Sequence, residues 1–209
     1  MDTITEEQRT AEWFQARVGK ATASRFKDVI AKRKDGKGYL QTRTDYLVDI
    51  ATERLTKSAT PHYTNSAMQW GVTHEAGARI IYEQRRKLQV DETGFIQHDE
   101  LDAGASPDGL VDWDGLIEIK CPYNSAVHVL TWMDGMPEDH IAQVQGQLWI
   151  TGRQWCDFVS FDPRMPPGLQ LYVERVERND SFIAGLETEV RKFLADVDAM
   201  VAKLMEKSQ

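Results

Sequence analysis

Cysteine is scarce in this sequence: Cys121 and Cys156 are the only two, too few for a disulfide framework and too few for a zinc site built from thiolates. They read as small apolar residues near a sheet, in a reduced compartment. Long apolar runs are missing as well. No stretch approaches the ~18 to 20 uninterrupted apolar residues that a bilayer span needs, and Met1 to Arg9 is polar and acidic rather than signal-like. A soluble protein of the cytoplasm, with no membrane partner, is expected. Positive charge is in deficit, with 25 Lys and Arg against 33 Asp and Glu and a formal net charge of -8. This counts against a protein that coats nucleic acid, because such affinity comes from cationic side chains displacing counterions along the phosphates. The basic residues do cluster, at Lys32, Arg33, Lys34 and Lys37 and again at Arg85, Arg86 and Lys87. Each cluster is either a solvated face or a local phosphate contact. Internal repeats and low-complexity linkers are absent.

What is present suits one packed α/β domain over residues 1–209. The hydrophobic fraction is 41%, and six Trp, six Tyr and seven Phe are spread along the chain, which supplies a core and argues against disorder. The first half has helical periodicity. Glu12 to Arg17 reads as a short helix that Gly19 ends, and Thr22 or Ser24 is placed to cap the next one through Phe26, Val29 and Ile30. The stretch from Lys32 to Gly38 reads as a loop. Helices are expected at about 39–57 and 65–87. From Val90 onward short apolar runs are punctuated by Gly, Pro and Asp, the pattern of strands and tight turns. The clearest piece is a hairpin, in which Leu110 to Asp112 lead into a turn at Trp113, Asp114 and Gly115 and Leu116 to Lys120 return. Helices at about 124–134 and 138–150, strands near 155–161 and 169–176 and a final amphipathic helix from about 180 to 206 complete the chain. The outcome is a mixed β-sheet flanked by helices.

The hairpin carries the chemistry. Ser106-Pro107-Asp108 is followed, ten residues after Asp108, by Glu118-Ile119-Lys120. Side chains alternate across a strand, so Glu118 and Lys120 share one face while Ile117 and Ile119 take the other. The turn folds the strand back and brings Asp108 within a residue or two of both. Two carboxylates and an ammonium converge, and magnesium is usually held by only one or two carboxylates with water and substrate phosphate. Such a cation stabilises charge on phosphoryl oxygens and acidifies water, and Lys120 is placed to orient or help deprotonate the attacking water of phosphodiester hydrolysis. On spacing alone, a surface hairpin with an ordinary Asp108–Lys120 salt bridge is an equal reading.

The neighbouring residues favour the nuclease. Pro107-Asp108 followed by Glu118-x-Lys120 is the PD-(D/E)xK signature, and the flanking Ala105-Ser106-Pro107-Asp108-Gly109-Leu110 and Glu118-Ile119-Lys120-Cys121-Pro122 resemble the phage lambda exonuclease family. Similarity continues in the same order through Trp13-Phe14-x-x-Arg17-x-Gly19, Thr22-Ala23-Ser24, Val29-Ile30-Ala31-Lys32, Trp70-Gly71 with Glu75, Ala142-Gln143-Val144-Gln145 with Trp149, and Asp162-Pro163-Arg164-Met165. The resemblance implies a restriction-endonuclease-like core around a central mixed sheet. It implies metal binding by Asp108, Glu118, the Ile119 main-chain carbonyl and Glu75, the last directly or through water. Two magnesium ions per site, replaceable by manganese, are implied, with Lys120 acting on the water and Gln143 near the metals; Gln145, facing elsewhere on the same helix, is read as structural. Arg17, Ser24 and Ser106 match a 5′-phosphate pocket, Met68 stands where the family has an apolar strand-separating wedge, and Lys34 lies in a loop that tracks the duplex backbone.

By the same resemblance the activity is 5′→3′ digestion of one strand of linear double-stranded DNA to mononucleotides, leaving 3′ single strands for recombination by annealing. A homotrimeric ring on DNA ends, a single-strand annealing protein as partner, and a phage or prophage origin in a bacterial host are implied with it. The rival readings are a structure-specific or restriction-type endonuclease on the same core and a non-catalytic DNA-end clamp. A zinc peptidase is rejected because His74-Glu75 is followed at 78 by Ala rather than His. A calcium loop at Asp112 to Gly115 lacks the third ligand position. None of the five histidines has a partner at metal-ligand spacing, and none is assigned a role.

Overall fold

The computed structural model describes residues 8–60 and 64–209; the first seven residues of the acidic N-terminal stretch lie outside them. Helix α1 (Ala11–Arg17) is capped by Thr10, whose side chain accepts from Trp13 N, and is followed by Gly19 in the left-handed region at φ 72°. Strand β1 (Ala21–Thr22), a 3-10 turn over Ala23–Arg25 and helix α2 (Phe26–Val29) follow. The expected cap at Thr22 or Ser24 is not made. Thr22 is strand, Ser24 lies inside the 3-10 turn, and neither side chain caps a helix; the Thr22 hydroxyl is 3.3 Å from Ser24 Oγ and 3.5 Å from the Tyr46 hydroxyl. A local cap is displaced by a long-range partner.

Helices α3 (Gln41–Thr56) and α4 (Ser66–Arg86) are within two residues of the expected bounds, and Asn65 caps α4 by accepting from Met68 N. Short strands β2 (Val90–Asp91), β3 (Ile96–Gln97), β4 (Ala103–Ala105) and β5 (Gly109–Val111) lead to β6 (Gly115–Lys120). Then come α5 (Ser125–Asp134), α6 (Ile141–Thr151), β7 (Trp155–Phe161), β8 (Leu171–Glu177) and α7 (Asp180–Lys207).

The hairpin turn is one residue earlier than the sequence suggests. Val111 pairs with Gly115, so the loop is Asp112 to Asp114, with Asp112 at φ 48°. Gly115 belongs to the strand for another reason: a Cβ there would lie 2.0 Å from the Trp155 ring. Its glycine marks a close approach rather than a turn.

Five strands form one mixed sheet in the order β2-β5-β6-β7-β8, with β6 and β7 parallel and the other pairs antiparallel. A second, three-stranded sheet of order β1-β4-β3, absent from the sequence reading, sits beside it. Strand alternation sorts the larger sheet's residues. Ile117, Ile119, Val159 and Phe161 pack with Ala78 and Tyr82 of α4, whereas Leu116 and Cys156 pack with Val144 and Leu148 of α6. Helix α4 is pinned by a buried polar tie, since the Tyr82 hydroxyl donates to Asp157 Oδ2 at 2.7 Å and Arg175 Nε reaches Asp157 Oδ1 at 2.8 Å. The largest apolar cluster joins α2, α3, α6 and α7 with the small sheet, through Phe26, Ile50, Ala103, Ile150 and Phe193. Among the described residues no helix is long and apolar enough to cross a membrane.

Candidate active site

The register of the hairpin fixes the centre of the site. Gly109 is opposite Ile117, and Asp108 N donates to Ile117 O at 3.2 Å, so Asp108 falls beside Glu118. Asp108 Oδ2 accepts from the Ile119 amide at 2.6 Å, which ties the first carboxylate to the strand bearing the second. Glu118 and Lys120 share the face turned to α6, and Lys120 Nζ is 2.5 Å from Glu118 Oε1. From α6, Gln143 donates to the same oxygen at 2.6 Å and its own Oε1 accepts from Lys120 at 3.2 Å. Glu118 is buried, at 2% exposure, so these donors take the place of water around its charge.

Asp108, Glu118, Ile119, Lys120, Gln143 and Glu75 line one cleft of about 240 Å³. Burial pushes the Asp108 carboxyl well above the ordinary range, and the charges of Glu118 and Glu75 add to this against Lys120 and the Ile119 amide. For Lys120, burial lowers the ammonium pKa, but Glu118, Asp108 and Glu75 outweigh it and the net direction is up. The cleft therefore crowds like charge. Among the described residues no three His, Cys, Asp or Glu side chains stand together as a complete cation cage. Magnesium asks for less: one or two carboxylates, with water and phosphate completing the octahedron. The all-oxygen donor set and the mutual repulsion of Asp108 with Glu118 and Glu75 fit such an ion.

The same cleft also carries cationic and hydroxyl groups. Arg17 and Ser106 line it, as do Ser24 and Thr22. Arg17 stacks on Trp13, 4.0 Å from the ring centroid, and its Nη1 is 3.4 Å from Ser106 Oγ. Burial lowers its pKa, and among the described residues no carboxylate forms an ion pair with it. Trp13 Nε1 also donates to Ser106 Oγ at 2.9 Å, so that oxygen accepts twice and its own proton remains a donor. A half-buried guanidinium beside a donor hydroxyl suits an anion. Ser24 is exposed, with its hydroxyl beside that of Thr22.

Two expected residues are elsewhere. Met68 is on the first turn of α4 at 49% exposure, outside the cleft lining and outside the core, and Lys34 is fully in the exposed loop bridged by Lys32 and Tyr39. Gln145 is structural, donating to Glu177 O at 2.9 Å and accepting from Asn179 N at 2.8 Å. Cys121 and Cys156 are buried; burial pushes the Cys121 thiol up to about 12, so it is an unreactive apolar group.

Three cleft residues escaped the sequence reading. Gln147, on the same face of α6 as Gln143 and one turn on, donates to Glu118 Oε2 at 2.6 Å; the four-residue spacing was a usable signal. Arg9 pairs with Glu75, and Gln8 donates to Pro107 O at 2.7 Å and to Thr93 O at 3.0 Å, so residues ahead of α1 lie against the cleft. Nothing local in the sequence announces contacts across 66 or more positions.

Comparison with known proteins agrees with this arrangement. Residues 12–154 match the YqaJ-like viral recombinase domain. The alkaline exonuclease LHK-Exo of Laribacter hongkongensis is 44% identical, and its structure superposes with a TM-score of 0.87 over 95% of this chain and 98% of that one. A phage-related exonuclease of Haemophilus somnus, 16% identical, shares the fold with a TM-score of 0.70 over 88% of this chain and 96% of its own. An uncharacterized protein of Acanthamoeba polyphaga mimivirus is 26% identical over 167 residues, which are 73% of this chain but 29% of that relative's length. With a hairpin that joins two carboxylates to a lysine, and with this similarity over most of its length, the chain belongs to the YqaJ-like viral recombinase family of lambda exonuclease-like nucleases.

Proposed function

We propose that the chain is a magnesium-dependent exonuclease that digests one strand of linear duplex DNA in the 5′→3′ direction from phosphorylated ends, releasing mononucleotides and leaving a 3′ single strand for annealing. The observation that carries the reading is one cleft lined both by Asp108, Glu118 and Lys120 and by Arg17 with Ser106. The Laribacter exonuclease has been crystallised with dAMP, a mononucleotide, which supports products of that size.

Asp108, Glu118, the Ile119 carbonyl and Glu75 would hold magnesium, which supplies charge stabilisation at the phosphoryl oxygens and a more acidic water. Lys120 Nζ keeps a proton beside Glu118 and Gln143 and is the donor placed to orient the attacking water. Gln143 holds both Lys120 and Glu118, so the two keep their relative position as substrate enters. Arg17 and Ser106 bind the terminal phosphate, Ser24 adds a hydroxyl, and Arg17's stacking on Trp13 limits the loss of order on binding. Lys34 follows the duplex backbone, and Met68 is exposed on the first turn of α4, as a strand-separating wedge must be.

A ring of three chains fits the same reading. It reconciles a net charge of -8 with DNA, because a channel can be locally positive while the outside is negative. Helix α5 supports an assembly: it buries His128 and Thr131 but leaves Val127, Leu130 and Met133 exposed, an inversion that suits a covered surface. A single-strand annealing protein would receive the exposed 3′ strand.

The test is digestion of linear duplexes labelled separately at each end, beside a circular duplex. Loss of the 5′ label as mononucleotide, only with magnesium or manganese, with the circle intact, is expected. Cleavage of the circle would establish an endonuclease, and binding to ends without hydrolysis in either metal a clamp. Sedimentation equilibrium should give three times the chain mass, and a monomer would remove the ring.

A further inference from the structure

Gln147 is the other glutamine that α6 turns to Glu118, and its surroundings differ from those of Gln145. Gln145 satisfies both ends of its amide on backbone groups. Gln147 is 1% exposed, spends its Nε2 on Glu118 Oε2 at 2.6 Å, and leaves Oε1 buried with no hydrogen-bond partner among the described residues. An unmatched buried acceptor is unfavourable, and Leu148, Val144 and Ile150 around it show that α6 has no need of a polar group for packing. The residue lines the cleft.

Resting on the metal-dependent reading above, we infer that Gln147 is a positioning residue, which fixes the rotation of the Glu118 carboxylate so that it meets a divalent cation as a preset ligand. The geometry explains how. Lys120 and Gln143 hold Glu118 Oε1 while, among the described residues, Gln147 alone holds Oε2, so the carboxylate cannot turn about its terminal bond without giving up donors on both oxygens. Lys120 and Gln143 restrain one oxygen only.

The experiment is a calorimetric titration of Mn2+ into the full chain without DNA, together with steady-state digestion and thermal melting. Gln147→Met keeps the length and removes the hydrogen bonds. Outer partners of metal ligands typically matter by about 10–100-fold, so Mn2+ should bind at least ~10-fold more weakly. The rate at low Mn2+ should fall and excess Mn2+ should restore it, with KM for duplex ends unchanged. Gln145→Met is the control: its melting temperature drops while its Mn2+ affinity stays that of the wild type. Gln147→Asn, too short to reach Glu118, provides the same measurement if the Met variant does not fold. Wild-type Mn2+ affinity in a folded Gln147 variant would overturn the inference while leaving the nuclease reading intact. A wild-type chain that takes up no Mn2+ would overturn both.

Discussion

Lys120 and Arg17 are cations of the same cleft held in opposite ways, and their substitutions should separate accordingly. Lys120 is surrounded by the carboxylates of Glu118 and Asp108 and by Gln143, close to the reacting phosphate in the proposed mechanism. Lys120→Ala should cut cleavage by about 10²–10⁴-fold, the usual weight of a positioned proton-handling group, with duplex-end affinity measured in calcium little changed. Arg17 has Trp13 and Ser106 for neighbours and, in the proposed mechanism, binds the terminal phosphate. Charged hydrogen bonds are worth roughly 1.5–3 kcal/mol, so Arg17→Ala should lose about 10-fold or more on 5′-phosphorylated ends and little on 5′-hydroxyl ends. Comparing kcat/KM on the two substrates checks this, and an equal loss on both would remove the phosphate pocket. Asp108, Glu118 and Lys120 were legible in the sequence because ten residues and one turn connect them. Glu75 was not, on residue grounds, since an isolated helical glutamate looks like any solvated charge.

At the level of elements, α6 decides whether the site assembles. Its Gly146 lies between Gln143 and Gln147, and a Cβ there would come within 2.4 Å of the Phe26 ring. This close approach seats α6 against α2 and so sets how far the two glutamines reach toward Glu118. Gly146→Ala should destabilise the fold by about 1–3 kcal/mol through overpacking, read as a lower midpoint in urea. Its digestion rate should fall further than stability alone requires, because Gln143 moves with the helix. The long helices were readable from periodicity to within two residues. The small sheet was not: β1 and β3 have two residues each and β4 three, too short for any alternation to register. The hairpin turn was displaced by one because Gly115, the residue that looks most like a turn, is glycine to admit Trp155.

For the molecule as a whole, acid should remove stabilising contributions in two windows. Burial, aided by the charge of Lys120, lowers His140 from its ordinary 6.5 to about 4, so the fold prefers the neutral ring, which packs 5.3 Å from Phe158. That contribution is complete above pH 6.5 and is lost as pH falls toward 4. Asp162 behaves as a depressed acid. Burial opposes its ionisation, but hydrogen bonds from Arg164, Ser125 and the Arg164 amide prevail and bring it to about 2. Its contribution holds above its ordinary 3.8 and disappears as pH falls toward 2. Each window is read as the difference in thermal melting between wild type and a variant, His140→Phe for the upper and Asp162→Asn for the lower, because the raised Asp108 carboxyl gains stability as pH falls and opposes the upper loss.

The sequence by itself determined the chemistry on offer and its local frame: which side chains carry charge, the ten-residue spacing that a hairpin turns into a carboxylate pair, and the helices whose apolar faces repeat. Those properties depend on neighbours within a few turns or one strand pairing, so they are written in order along the chain. Tertiary structure alone decided that Arg9 would meet Glu75 across 66 positions, that Trp13 and Arg17 would reach Ser106, and that α6 would aim a second glutamine at Glu118. Such meetings follow from how buried faces pack against a shared sheet, a sum over many side chains that no short stretch of sequence contains.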